Sequence, residues 1–180
     1  MSERVASERG TVQLHLPDAD ATARLAAALA ATAPAPAVVH LRGDLGAGKS
    51  TLARAWLRAL GVEGAVRSPT YTLVERYPLA HGTDALHLDL YRIGDAGELE
   101  FLGLDGTDAA LWLVEWPERG ARALPPADLE VALWIEGQGR HARLTPGSDA
   151  GRAWLSQLAR NGQLQAFPES ATQEGSAGPG

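Results

Sequence analysis

Apolar and polar residues alternate over Thr11-Val12-Gln13-Leu14-His15-Leu16, a period of two that predicts a strand ending at Pro17. Asp18 follows as a side-chain cap. The Ala- and Leu-rich stretch from Ala19 to about Ala31 has no Gly or Pro, which predicts a helix stopped by Pro34 and Pro36. Val38-Val39-His40-Leu41 is a short apolar strand that runs into a glycine-rich loop. Beyond the loop, Leu52, Ala53, Trp56 and Leu60 recur at helical spacing, so the pattern predicts a helix from Ser50 to Leu60 with Gly61 as its stop. Strands are expected over Tyr71–Tyr77 and Leu86–Tyr91, and a short helix over Glu98–Leu102. Leu111-Trp112-Leu113-Val114, apolar on both faces, predicts a buried strand ended by Pro117. Leu129–Ile135 and Arg140–Thr145, joined by Glu136-Gly137-Gln138-Gly139, predict an antiparallel hairpin, and a last helix follows from about Ala150 to Arg160. These elements predict an α/β domain whose sheet has a parallel centre, antiparallel additions and flanking helices.

The loop after the second strand changes this generic picture. Gly43-Asp44-Leu45-Gly46-Ala47-Gly48-Lys49-Ser50 satisfies G-x-x-x-x-G-K-[ST] at every fixed position, with a strand before it and a helix after it as that pattern requires. Glycines permit backbone conformations and a close approach that side chains forbid, so successive N–H groups can converge on phosphate oxygens at a helix N-terminus. The motif predicts a P-loop NTPase-type fold binding a nucleoside triphosphate with magnesium. Gly43, Asp44, Leu45, Gly46, Ala47, Gly48, Lys49, Ser50 and Thr51 are its candidate nucleotide-binding residues. Lys49 would reach the β- and γ-phosphates, and the Ser50 hydroxyl would ligate the metal.

A phosphate cradle of this kind also needs a carboxylate at the end of a neighbouring buried strand, to serve the metal and orient water. Glu115, directly after Leu111–Val114, matches the Walker B pattern, with Glu where Asp is commoner; it is a candidate metal ligand and catalytic group. A carboxylate at a strand end is otherwise simply solvated. In His87-Leu88-Asp89-Leu90-Tyr91-Arg92, alternation puts His87 and Asp89 on one face. That face could bring a second acid to the metal's outer shell, be an exposed strand surface, or hold a transition metal. The other histidines, His15, His40, His81 and His141, lack ligand spacing. Ser68-Pro69-Thr70-Tyr71-Thr72 is either a turn feeding a strand or a switch whose Thr70 closes onto the γ-phosphate and magnesium.

Composition narrows the possible partners. The 180-residue chain is 45% hydrophobic and 21% charged, enough for one core. We expect a flexible start over 1–10, one ATPase domain over 11–160 and a disordered tail over 161–180. A net charge of -6 gives no broad basic surface for nucleic acid, so any RNA contact is expected through partners. The chain has no cysteine, which excludes disulfides, zinc thiolates and thiol catalysis. With no secretory or membrane-spanning pattern, the expected location is cytoplasmic, with no membrane contact. Lys49 is the only lysine among sixteen basic residues; a compact ammonium is kept at the position that faces phosphate.

Read in order, GDLGAGKS, SPTYTLVERY, HLDLYRI and LVEWP resemble the TsaE (YjeE) ATPases, a subunit of the bacterial machinery that makes threonylcarbamoyladenosine (t6A) on tRNA. The similarity runs from about Val12 to Leu144, through Gly97–Gly103 and the Gln138-Gly139-Arg140 turn. The resemblance implies a weak Mg-dependent ATPase that acts with TsaB and TsaD subunits and meets tRNA only through that complex. It implies that Lys49, Ser50 and Glu115 serve phosphate, magnesium and water, and that Asp89 and Trp116 matter for activity. Ser50 stands where the family frequently has Thr, and the end beyond about Gly151 is longer. Trp116 would either report nucleotide state to a partner or anchor the strand end in the core. A small-molecule kinase is the competing class, but no inserted arginine-bearing lid is visible; Arg119 and Arg122 come nearest. A third class is an assembly factor that binds nucleotide without turnover.

Overall fold

In the computed structural model, which describes residues 10–104 and 107–168, the strands are β1 (Val12–Leu16), β2 (Ala37–Arg42), β3 (Val74–Pro78), β4 (Asp84–Asp89), β5 (Leu111–Glu115), β6 (Leu129–Glu136) and β7 (Gly139–Pro146). The helices are α1 (Ala19–Thr32), α2 (Lys49–Ala59) and α3 (Asp149–Arg160). One seven-stranded sheet has the order β1-β7-β6-β2-β5-β4-β3. Its centre, β6-β2-β5-β4, is parallel, while β1 and β7 on one side and β3 on the other are antiparallel additions. This is the mixed sheet that the apolar pattern predicts.

Period-two alternation divides the strand residues between two cores. Val39, Leu41, Leu113, Val131 and Leu144 point to the face that receives Leu25 and Leu29 of α1, Leu52 and Trp56 of α2, and Trp154 of α3. Leu86, Leu88, Trp112 and Val114 point to the opposite face, where Ile93, Leu99 and Leu124 cover them. The three α-helices therefore share one face, and loops with 3₁₀ turns close the other. Trp56 and Trp154 meet edge-on at 5.8 Å, and the Trp154 indole N–H donates to Thr32 Oγ1 at 3.0 Å. Asp18 caps α1 as expected, accepting from Ala21 N at 2.8 Å. Ser148 caps α3 and donates to Asp128 Oδ1 at 2.7 Å, while Asp128 Oδ2 accepts from Val38 N at 2.8 Å. Among the described residues, no helix is long and apolar enough to cross a membrane.

Some sequence-based boundaries move. The strand expected from Tyr71 begins only at Val74, because Leu73 N turns back to Pro69 O at 2.8 Å and Leu73 adopts φ 65°. β4 ends at Asp89 rather than Tyr91, since the Asp89 carboxylate accepts from Tyr91 N at 3.0 Å and curls the chain. The helix expected at Glu98–Leu102 is a 3₁₀ segment over Ala96–Leu102, capped by Asp95. The tail expected to be disordered from 161 is corrected for its first part. Gln163–Ala166 form a 3₁₀ turn, Leu164 and Phe167 are buried in the helical-face core, and His15 N of β1 donates to Pro168 O at 3.1 Å. Two apolar side chains in an otherwise polar stretch are enough to dock it. Residues 1–9 and 169–180, also expected to be flexible or disordered, lie outside the described residues.

Candidate functional site

The glycine loop leaves the C-terminal end of β2 and enters α2 without a side-chain cap. Gly43, Gly46 and Gly48 all have positive φ, at 148°, 79° and 109°. At Gly43 a Cβ would run into the Leu133 carbonyl oxygen and approach Ala47 Cβ at 3.0 Å. Here glycine is required by contact as well as by conformation. The uncapped first turn of α2 leaves its N–H groups, and the positive end of the helix dipole, facing the cleft.

Lys49 opens α2 and is only 4% exposed. Its ammonium donates to the carbonyls of Gly43 at 2.6 Å and Asp44 at 2.9 Å, and it lies 4.4 Å from the Trp116 ring centroid. Burial pulls its pKa below the ordinary lysine value, while the charges of Glu115 and Asp89 act in the opposite direction. On the next residue, Ser50 Oγ donates to Glu115 Oε1 at 2.7 Å. Glu115 is nearly inaccessible at the end of β5, so it is not a solvated strand-end carboxylate; its other oxygen lies 2.6 Å from His87 Nε2.

His87 and Asp89 do share a face of β4, and the exposed-surface alternative is excluded because both are buried. Asp89 pairs in register with Glu115. Its Oδ2 accepts from Thr70 Oγ1 at 3.3 Å, and Thr70 Oγ1 is 2.8 Å from Ser68 Oγ. Thr70 thus sits at the cleft within a turn tied to Asp89. Trp116 takes φ 57° and ψ 50°, a conformation that costs a bulky residue about 1–2 kcal/mol. Its ring lies 5.0 Å from that of Tyr91, and the side chain is partly buried against the second core while also lining the cleft. It therefore both anchors the strand end and faces the site.

These groups line one cleft of about 570 Å³. Gly46, Gly48, Lys49, Ser50, Thr51, Thr70, Asp89, Glu115 and Trp116 all contribute to it, as does the exposed Leu45; the buried Ala47 and exposed Asp44 shape the loop from outside the lining. Sequence reasoning did not assign a site role to Tyr91, Arg92, Gln138 or Arg140, which also line the cleft. Arg140 donates to Gly46 O at 3.3 Å, and its Nε comes 4.0 Å from where a Gly48 Cβ would stand. Arg92 stacks over Tyr71 at 4.7 Å. Arg140 reaches the loop only through the β6–β7 hairpin, a long-range placement without a local sequence signal.

Chemically, the cleft joins an uncapped helix N-terminus and one buried cation to a hydroxyl–carboxylate pair. That is a donor set for a phosphate chain, and Ser50 with Glu115 offers two oxygens to a hard cation while leaving positions for phosphate and water, as magnesium prefers. Among the described residues no three His, Cys, Asp or Glu side chains cluster as an all-protein metal cage.

The family model described as "Threonylcarbamoyl adenosine biosynthesis protein TsaE" matches residues 16–143. A protein of Haemophilus influenzae bearing the name tRNA threonylcarbamoyladenosine biosynthesis protein TsaE is 44% identical over 122 residues, covering 66% of this chain and 76% of that protein. One of the same name from Aquifex aeolicus is 42% identical over 116 residues, 63% of this chain and 80% of that one. The crystal structure of the Bacillus protein YdiB superposes with a TM-score of 0.70 at 26% identity, covering 84% of this chain and 95% of the other.

Proposed function

Because the chain belongs to the TsaE family of threonylcarbamoyladenosine biosynthesis proteins, we propose that it is the Mg-dependent ATPase of tRNA t6A modification, slow alone and gated by partner subunits. The observation that carries this reading is the Ser50 Oγ–Glu115 Oε1 contact of 2.7 Å beside a buried lysine at an uncapped helix N-terminus. It joins the phosphate-facing loop to a carboxylate on a different strand.

The loop N–H groups that face the cleft, from Gly46 and from Gly48 to Thr51, would bind the phosphates of ATP or ADP. Lys49 exchanges its carbonyl partners for phosphate oxygens, whose negative charge compensates a buried ammonium better than neutral carbonyls do. Magnesium, when bound, would supply charge neutralisation for the phosphates. Ser50 and Glu115 would hold it, and Glu115 would orient the hydrolytic water. Asp89 acts through Thr70, keeping the Ser68–Thr72 turn at the cleft mouth. Catalysis in such a site is positioning and electrostatics, without a covalent role for the protein.

Partner gating by TsaB and TsaD is supported by the cleft's surroundings. Leu45 is 64% exposed and Tyr71 82% exposed. With a net charge of -6, the chain has little means of holding tRNA itself. Calorimetry with Mg-ATP, and phosphate release with and without TsaB and TsaD, tests the reading. We expect Glu115→Ala to bind Mg-ATP within about threefold of the parent and to lose turnover by about a hundredfold or more. Absence of Mg-dependent ATP binding, or unchanged turnover in that variant, refutes it. A phosphorylated metabolite in place of free phosphate would point instead to a kinase.

A further inference from the structure

Glu115 has three side-chain torsions, and a carboxylate at the end of such a chain holds one orientation only if something fixes it. Ser50 Oγ cannot be the fixed point, since the proposed function gives its hydroxyl to the metal. The other contact is different in kind. His87 is fully buried at 0% exposure, in the strand adjacent to β5 and one pleat before Asp89. Its ring, on a two-torsion side chain, is held among core atoms, and Nε2 lies 2.6 Å from Glu115 Oε2. Nδ1 has no hydrogen-bond partner among the described residues. A carboxylate only accepts, so the proton of this contact sits on Nε2.

We propose that His87 is a positioning residue for Glu115: its Nε2–H holds Oε2 inside the protein, so that Oε1 is presented to Ser50 and the cleft. The inference rests on the reading that Glu115 serves the metal and the hydrolytic water. A buried imidazole that merely filled space would have no need to direct a nitrogen at the one carboxylate of β5. With both groups buried, the 2.6 Å contact at Nε2 is the one hydrogen bond of the ring among the described residues, and breaking it would leave a buried carboxylate oxygen unpaired. Partners of this type, which orient a ligand through its second oxygen, typically change activity by about 10- to 100-fold. Held this way, Glu115 needs no reorganisation when substrate arrives.

Two variants of the full chain separate positioning from structure. His87→Phe keeps a planar ring and loses the N–H; His87→Gln places an amide N–H near the position of Nε2. We expect His87→Phe to lower kcat for ATP, with TsaB and TsaD present, by about 10- to 100-fold while the Kd for Mg-ATP stays within about threefold. His87→Gln should recover most of that loss. A second readout needs no nucleotide. In the free protein, labelled on histidine ring nitrogens, the His87 Nε2–H should give a slowly exchanging downfield proton resonance that is absent in His87→Phe and shifted in Glu115→Gln. The proposal is overturned if His87→Phe turns over like the parent, if the Gln variant rescues nothing, or if the resonance ignores the change at Glu115. If the parent protein hydrolyses no ATP under any condition, the ATPase reading fails instead, and the resonance still decides whether the clamp exists. Should His87→Phe fail to fold, His87→Gln and the resonance carry the same decision.

Discussion

Replacing Gly43 with alanine probes the loop through two separable costs. The first is conformational: φ 148° lies in a region that L side chains rarely adopt, at about 1–2 kcal/mol. The second is steric. The new methyl would collide with the Leu133 carbonyl oxygen of β6, with the Leu133 carbonyl carbon at 3.4 Å and Ala47 Cβ at 3.0 Å. Backbone atoms of a central strand cannot rotate away, so this is overpacking at about 1–3 kcal/mol. Gly46→Ala provides the control, because Gly46 has φ 79° but nothing within 4 Å of an added Cβ. It carries only the first cost. Gly43→Ala should therefore be less stable than Gly46→Ala by about 1–3 kcal/mol, or roughly 2–12 °C in Tm for a domain of this size. Urea unfolding and thermal melts of both variants measure the difference. Gly43→Ala should also weaken Mg-ATP binding, since relieving the collision with Leu133 and Ala47 shifts the loop that leads into Lys49. If the two variants unfold together, the packing argument for Gly43 is wrong.

Leu164→Ala should cost about 2–5 kcal/mol, as for other buried leucines, and a melt unchanged from the parent would refute docking of this segment. His40 offers a pH test: burial first, and the Arg42 charge second, lower its pKa from 6.5, and its Nε2 has no hydrogen-bond partner among the described residues. With the native pKa below the unfolded one, the unfolded chain takes up this proton first as pH falls. Its share of stability is intact above pH 6.5 and is lost as pH drops from there toward the lowered native value. Urea midpoints near about pH 7.5 and about pH 5.5 should differ less in His40→Gln than in the parent; an identical difference would remove His40 from the account.

What could be read from the sequence follows the range of the forces involved. β2, the loop and α2 were legible because strand, glycines and helix are contiguous, and the place of Lys49 at the cleft needs only local geometry. Glu115 was legible because four apolar residues before it announce a buried strand. The partners of these groups were not. His87 meets Glu115 only through the parallel pairing of β4 with β5, and period-two alternation could place it beside Asp89 but could not say what lay opposite. Arg140 arrives from the far side of the sheet order. The start of β3 was misplaced because Leu73 takes a left-handed turn without being glycine, asparagine or aspartate, so its sequence carries no turn signal. The segment after 160 was misjudged because polar composition hid two anchors, Leu164 and Phe167.

The docking of that segment has a consequence for how the molecule keeps to itself. β1 is the outermost strand on its side of the sheet, and an outermost strand offers a free row of amides to any passing chain. His15 N is already taken by Pro168 O, so the chain uses its own later residues as a sleeve for this border. On the opposite border, Pro78 brings β3 to an end with a residue that has no amide proton to offer. Removing Leu164 and the residues after it would expose the β1 border, and self-association would then rise with protein concentration while the glycine-loop cleft, at the ends of the central strands, stayed intact.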